Sequence, residues 1–153
     1  MATHGWKPLQ AVVILNQLYY VVHKLELKEK NKMKLTNIEM SNYLSYLNKV
    51  ADKTKGRLAY AIARNIRKIS NESYEFEQIR ENLINKYGTP NEEGISSIKI
   101  DSDAYKSFVE EITEYMNIEH EVDIYKVDPE TLFNSELTAN EIIWLDFMIE
   151  DEN

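Results

Sequence analysis

Over residues 57–87 the apolar side chains Leu58, Ile62, Ile66, Ile69, Phe76, Leu83 and Tyr87 stay on one side of a helix, and Gly88 followed by Pro90 supplies a stop. Nothing else in the chain limits its fold so strongly. Unbroken, such a helix runs ~45 Å at 1.5 Å per residue, whereas a compact chain of this length has a radius of gyration of roughly 15 Å. The helix must therefore project or bend. Ser70-Asn71-Glu72-Ser73 is the expected break, because Ser and Asn side chains compete for backbone hydrogen bonds.

Two helix starts carry the same signature. In Thr36-Asn37-Ile38-Glu39 the Thr hydroxyl can accept from the Glu39 amide while the Glu39 carboxylate reaches back to the Thr36 amide, and Leu35 and Met40 fit a hydrophobic staple. The helix so launched is expected to run to Ala51, with Ile38, Tyr43, Leu44, Leu47 and Val50 turned inward. Thr138-Ala139-Asn140-Glu141 repeats the box behind Leu137 and launches a last helix carrying Ile142, Ile143, Leu145, Met148 and Ile149. Asp101 or Ser102 caps another, with Tyr105, Phe108, Val109, Ile112, Tyr115 and Met116 at helical spacing. Residues 95–100 read as a short strand and 122–127 as a second, although Tyr125 breaks the alternation there.

Leu9, Val12, Val13, Leu15, Leu18, Tyr19, Val22 and Leu25 predict a first helix over residues 8–28, followed by a polar linker to Met33. Its apolar stretch is interrupted by Asn16-Gln17 and is too short to span a bilayer, and it lacks the basic start and small-residue cleavage site of a signal peptide. It is expected to pack on the rest of the chain. The whole reads as a mainly helical α+β protein: a helical extension over 1–32, then one domain over 33–153. That domain has four principal helices, the central one long, and a small two-stranded element within 95–127.

With 153 residues and 43% hydrophobic content the chain can bury a core without staples. It has no cysteine, which excludes disulfides, thiolate metal sites and thiol nucleophiles. The charge is strongly divided. Residues 1–72 hold thirteen Lys/Arg against five Asp/Glu, and residues 73–153 hold five against twenty-one, a surplus of +8 followed by −16. Such polarity points to charged surfaces that meet each other or a partner.

The basic side concentrates on Lys53, Arg57, Arg64, Arg67 and Lys68, opposite the apolar stripe of the long helix, with Tyr60 among them. Spaced guanidinium groups bind carboxylates or phosphates through fork geometry, and Tyr60 can stack on a base or fill a partner's pocket. The competing reading is a strip that is simply solvated or neutralised by the acidic half. In that half, Glu110, Glu111, Glu114, Glu119, Glu121 and Asp123 gather around His120. Imidazole metal sites need two or three convergent nitrogen ligands, and His4 and His23 lie near the other end, so no metal and no cofactor are expected. The carboxylates could instead mimic a nucleic-acid backbone. There is no phosphate loop, nucleophile elbow or metalloprotease signature, so no catalytic residue is assigned and no enzyme activity is expected. Trp6 and Trp144 read as core or interface anchors.

A further pattern runs through residues 33–151: Met33-Lys34-Leu35-Thr36-Asn37-Ile38-Glu39, Ala61-Ile62-Ala63-Arg64-Asn65-Ile66-Arg67-Lys68, Phe76-Glu77-Gln78-Ile79-Arg80, and Leu83-Ile84-Asn85-Lys86-Tyr87-Gly88. It continues in Glu121-Val122-Asp123-Ile124, Leu137-Thr138 and Asp146-Phe147-Met148-Ile149-Glu150-Asp151. In order and spacing this resembles a family of small proteins of unknown function encoded by tailed phages of Gram-positive bacteria. The resemblance implies a phage origin and the host bacterial cytoplasm, with incorporation into the particle as the alternative location. It implies no catalytic residue. Residues 1–32 precede the start usual in that family, and Lys28-Glu29 stands where a purine-rich ribosome-binding site, if translated, would lie ahead of Met33. They are expected to be an upstream or gene-specific extension. The expected function is a non-enzymatic phage accessory protein that binds a phage or host protein, in particle assembly or in modulating host defence. Nucleic-acid binding through the basic strip and inhibition of a host nuclease or defence enzyme by acidic mimicry are the alternatives. No membrane partner is expected, and a homo-oligomer is left open.

Overall fold

The computed structural model describes residues 8–151, so Trp6 and His4 lie outside the described residues. The chain divides into two compact units at the Lys32/Met33 boundary. The first consists of α1 (Pro8–Lys30), two residues longer than expected. Ten of its large apolar side chains, between Val12 and Leu25, show 37–71% of their surface. Val12 to Leu15 and Leu18 to Val22 are unbroken apolar runs, which broaden the apolar face well beyond a narrow stripe and put Val13 and Tyr20 on the far side of the helix.

The second unit is mainly helical α+β. It runs β1 (Lys32–Thr36), α2 (Asn37–Ala51), α3 (Gly56–Tyr87), β2 (Thr89–Pro90), β3 (Ser96–Ser97), α4 (Asp103–Met116), β4 (Glu119–Asp123), a 3-10 turn at Pro129–Leu132, α5 (Ala139–Trp144) and a second 3-10 turn at Asp146–Met148. The stretch before Met33, expected as linker, is thus helix to Lys30 and strand from Lys32.

Both capping boxes form. Thr36 Oγ1 accepts from the Glu39 amide at 3.3 Å and Glu39 Oε2 accepts from the Thr36 amide at 2.8 Å, with the staple residues Leu35 and Met40 both buried. At α5 the corresponding bonds are 3.3 Å and 2.9 Å. Ser102 rather than Asp101 caps α4, accepting from the Tyr105 amide at 3.1 Å.

The long helix α3 does not break at residues 70–73. Ser70, Asn71 and Glu72 face solvent, while Ser73 is buried in the same row as Ile69 and Phe76. Packing on both sides of this point keeps the helix continuous through it. Leu58, Ala61, Ile62 and Ile69 lie in a main core with α2, β4 and residues from Ile124 to Met148. Phe76 and Leu83 lie in a second cluster with Ile112, flanked by Phe108, Tyr115 and Met116 of α4. Lost apolar burial at either end would outweigh the local preference of a few Ser and Asn side chains.

The strands pair differently from expectation. The 95–100 region does not meet 122–127; β3 pairs with β2 in an antiparallel hairpin, Thr89 opposite Ser97 and Pro90 opposite Ser96. Asn91 closes that hairpin, its Oδ1 accepting from the amides of Glu93 (3.0 Å) and Ile95 (2.9 Å). β4 spans 119–123 and pairs with β1, and the Asn37 amide donates to the Ile118 carbonyl at 3.1 Å just beyond. The 124–127 stretch instead follows α3 and meets the C-terminal segment through a parallel bridge from Val127 to Ile149. The last helix is short, giving way after Trp144 to the 3-10 turn that buries Phe147 and Met148.

Candidate interaction surface

The outward face of α3 presents Arg57, Tyr60, Arg64 and Arg67 at intervals of three or four residues, with Lys68 next to Arg67; Lys53 belongs to the preceding turn rather than to the helix. The acidic half reaches three of these cations. Lys53 Nζ is paired with Glu141 of α5. Arg57 Nη2 lies 3.7 Å from Asp128 Oδ2, an open and therefore weak contact. Lys68 Nζ donates to both the carbonyl (2.7 Å) and the carboxylate (3.1 Å) of Asp123. The chain's charge division is thus partly a matter of self-neutralisation.

Arg64 and Arg67 escape it. The Arg64 guanidinium lies over the rings of Tyr60 (5.8 Å) and Tyr125 (5.5 Å), and its Nη1 donates to the Tyr60 hydroxyl at 3.2 Å. The two rings meet edge-on, centroids 5.7 Å apart. Arg67 is exposed and makes no ion pair or hydrogen bond among the described residues. Beside them a cleft of about 370 Å³ is lined by Gly56, Arg57, Tyr60, Tyr125, Lys126 and Val127.

Tyr125 and Lys126 are the members that the sequence did not single out. Asn65, fully buried on α3, holds Tyr125 by its backbone: Oδ1 accepts from the Tyr125 amide at 2.7 Å and Nδ2 donates to its carbonyl at 2.9 Å. Those two bonds replace the strand partner that residue 125 lacks. Lys126 Nζ is fixed by the Phe147 carbonyl at 2.6 Å. The one available signal was the break in alternation at Tyr125, whose half-buried ring packs against the edge of the main core and lies under Arg64.

The acidic candidates do not form one site. Glu110 and Glu114 lie on the outer face of α4, and Glu119 and Glu121 on the outer side of β4, all exposed. Glu111 is paired within the chain, accepting from Lys86 Nζ at 2.7 Å and from the Tyr87 hydroxyl at 2.6 Å. Asp123 is held by Lys68. His120 Nδ1 lies 3.1 Å from Glu72 Oε1. Among the described residues no group of three His, Asp or Glu is placed to hold a metal ion. Trp144 stacks on Tyr46 with centroids 5.3 Å apart, under Lys49.

The internal ion pairs carry a pH signature. Lys53, and then the Thr138 amide, hold the Glu141 carboxyl below its ordinary value of 4.5. Lys86, and then the Tyr87 hydroxyl, do the same for Glu111. A carboxylate whose folded pKa is depressed stabilises the fold above its unfolded value and loses that contribution as pH falls through the folded one. Urea midpoints are therefore expected to hold at neutral pH and to fall below about pH 4.5. Glu141→Gln, which keeps a capping oxygen but no charge, should show a shallower acid loss than the parent; an identical profile would remove the Lys53 pair from the account.

The fold and surface define a small, mainly helical α+β protein with a self-neutralised basic helix that keeps one arginine–tyrosine cluster open. Compared with family models, curated proteins and solved structures, the chain finds no match.

Proposed function

We propose that this chain is a non-enzymatic phage accessory protein that binds an acidic surface of another protein, phage or host, through Arg64, Arg67, Tyr60 and Tyr125. Its setting is particle assembly or the modulation of host defence, in the host cytoplasm. The observation that carries the reading is selective neutralisation: Lys53, Arg57 and Lys68 have acidic partners within the chain, while Arg64 rests on two rings and Arg67 has none among the described residues. Arg and Tyr are the side chains most enriched at binding hot spots, and an arginine already immobilised on aromatic faces loses less entropy when a carboxylate docks. Among the described residues no helix is long and apolar enough to cross a membrane.

Nucleic-acid binding through the same strip is less well supported. With three cations paired internally, few remain to displace counterions from phosphates, and Arg64 covers a face of each ring that a base would stack upon. Acidic mimicry loses Glu111 and Asp123 to internal pairs.

The test compares the wild type with Arg64→Glu/Arg67→Glu in affinity capture from phage-infected cells. A protein retained by the wild type and weakened at least about tenfold in the variant is expected. Equal recovery with both would overturn the surface assignment. A gel shift of DNA or RNA at low salt, steeply lost as salt rises, would replace the reading with the nucleic-acid one.

A further inference from the structure

α1 carries a second, separate surface. From Gln10 to Val22 it contains no charged residue, and ten of its large apolar side chains are 37–71% exposed. At the roughly 60–250 Å² that aliphatic and aromatic side chains can bury, half-exposure of the eight that lie on one face leaves on the order of 500 Å² of apolar surface there. Soluble monomers rarely show a contiguous apolar patch beyond a few hundred Å², and a standard interface takes about 800 Å² from each partner.

The pattern on the helix says what kind of partner fits. Ala11, Leu15, Leu18, Val22 and Leu25 recur at alternating steps of four and three, the seam of a heptad repeat; Gln10, Asn16, Gln17, His23 and Lys24 fall on two of the three outward positions, and Val13 and Tyr20 occupy the third. Val12, Ile14, Tyr19 and Val21 flank the seam and widen it. We propose that α1 is a self-association helix, by which a second copy of this chain docks its own α1 along the Leu15–Leu18–Val22–Leu25 seam. A helix of this length and β-branched content is marginal alone and gains its stability from such packing. Two copies, each with a net charge of −8, can approach along this stretch because it bears no charge. A lipid surface fits less well, since interfacial helices carry a cationic polar face and α1 has no cation from Gln10 to Val22.

The inference is independent of the arginine–tyrosine surface, so either can fail without the other. Sedimentation of the full chain is expected to give at least twice the 18.0 kDa monomer mass. Leu15→Glu/Leu18→Glu should return the monomer, with the near-UV circular dichroism of the helical domain unchanged, whereas Asn16→Glu/Gln17→Glu on the polar stripe should leave the oligomer intact. The chain has no cysteine, and Leu18 faces its own copy in a parallel pair but Leu15 or Val22 of the copy in an antiparallel one. Oxidised Leu18→Cys in the first case, or Leu18→Cys/Val22→Cys in the second, should form a covalent dimer, and Gln17→Cys should not. A wild type that stays monomeric at every concentration overturns the proposal, whether or not it floats with phosphatidylcholine or phosphatidylglycerol vesicles; flotation would assign α1 to a lipid surface instead. Equal dissociation by both glutamate double variants, or equal cross-linking by seam and polar-stripe cysteines, overturns the seam.

Discussion

Asn65→Ala is expected to lower the unfolding free energy by about 2–4 kcal/mol, read as a reduced urea midpoint at unchanged slope. Asn65 is fully buried on α3, and its side-chain amide serves residue 125 as a neighbouring strand would, accepting from the amide at 2.7 Å and donating to the carbonyl at 2.9 Å. Alanine removes both partners at once and leaves a backbone donor and acceptor to find water at the edge of the core. Each such orphan costs about 1–3 kcal/mol when it cannot. Asn65→Asp makes the comparison sharper: it keeps an acceptor for the amide but, when ionised, buries a charge and cannot donate to the carbonyl. It should be at least as harmful at neutral pH and partly recover on acidification. A loss below about 1 kcal/mol for the alanine variant would mean that residues 124–127 are held by their apolar contacts alone. The variant also touches the proposed function, because Tyr125 supplies one of the two rings under Arg64.

Asn65 marks the limit of what the sequence discloses. Arg64 and Arg67, beside it in sequence but on the outward face, are visible as members of one strip because helical spacing is local. The capping boxes at Thr36 and Thr138 are equally legible, since each is complete within four residues. What decides the rest is non-local. Ser73 reads as a helix breaker in isolation, yet it sits buried between Ile69 and Phe76, and packing against two clusters keeps α3 whole. The partner of β4 is β1, far back in the chain, and no local signal names it. The acidic partners of the strip come from three places, β4, the turn after residue 127 and α5, so the surplus of charge is legible whereas the choice of neutralised cations is not.

Phe147→Ala is expected to cost about 3–5 kcal/mol, the largest stability loss anticipated in this chain and a substantial part of a small domain's total. Phe147 lies in the 3-10 turn after α5, buried, with its ring stacked on Tyr43 of α2 at 4.0 Å and 12°. The turn is the inner end of a clasp. The Val127 amide donates to the Met148 carbonyl at 3.0 Å, the Glu150 amide donates to the Val127 carbonyl at 2.8 Å, and Lys126 Nζ donates to the Phe147 carbonyl itself. Removing the ring leaves a cavity against Tyr43 and loosens a segment whose hydrogen bonds hold residues 126–127 from one side while Asn65 holds residue 125 from the other. Phe147→Leu, which refills most of the volume, should cost well under half as much. Because Asn65 Nδ2 also lies 3.7 Å from the Met148 sulfur, the two sites share a neighbourhood. The double variant Asn65→Ala/Phe147→Ala should therefore lose less than the sum of the single losses, by at least about 0.5 kcal/mol. Strict additivity would instead mean that the 124–127 segment is two independent attachments, and that the positions of Tyr125 and Lys126 in the arginine–tyrosine surface are set separately.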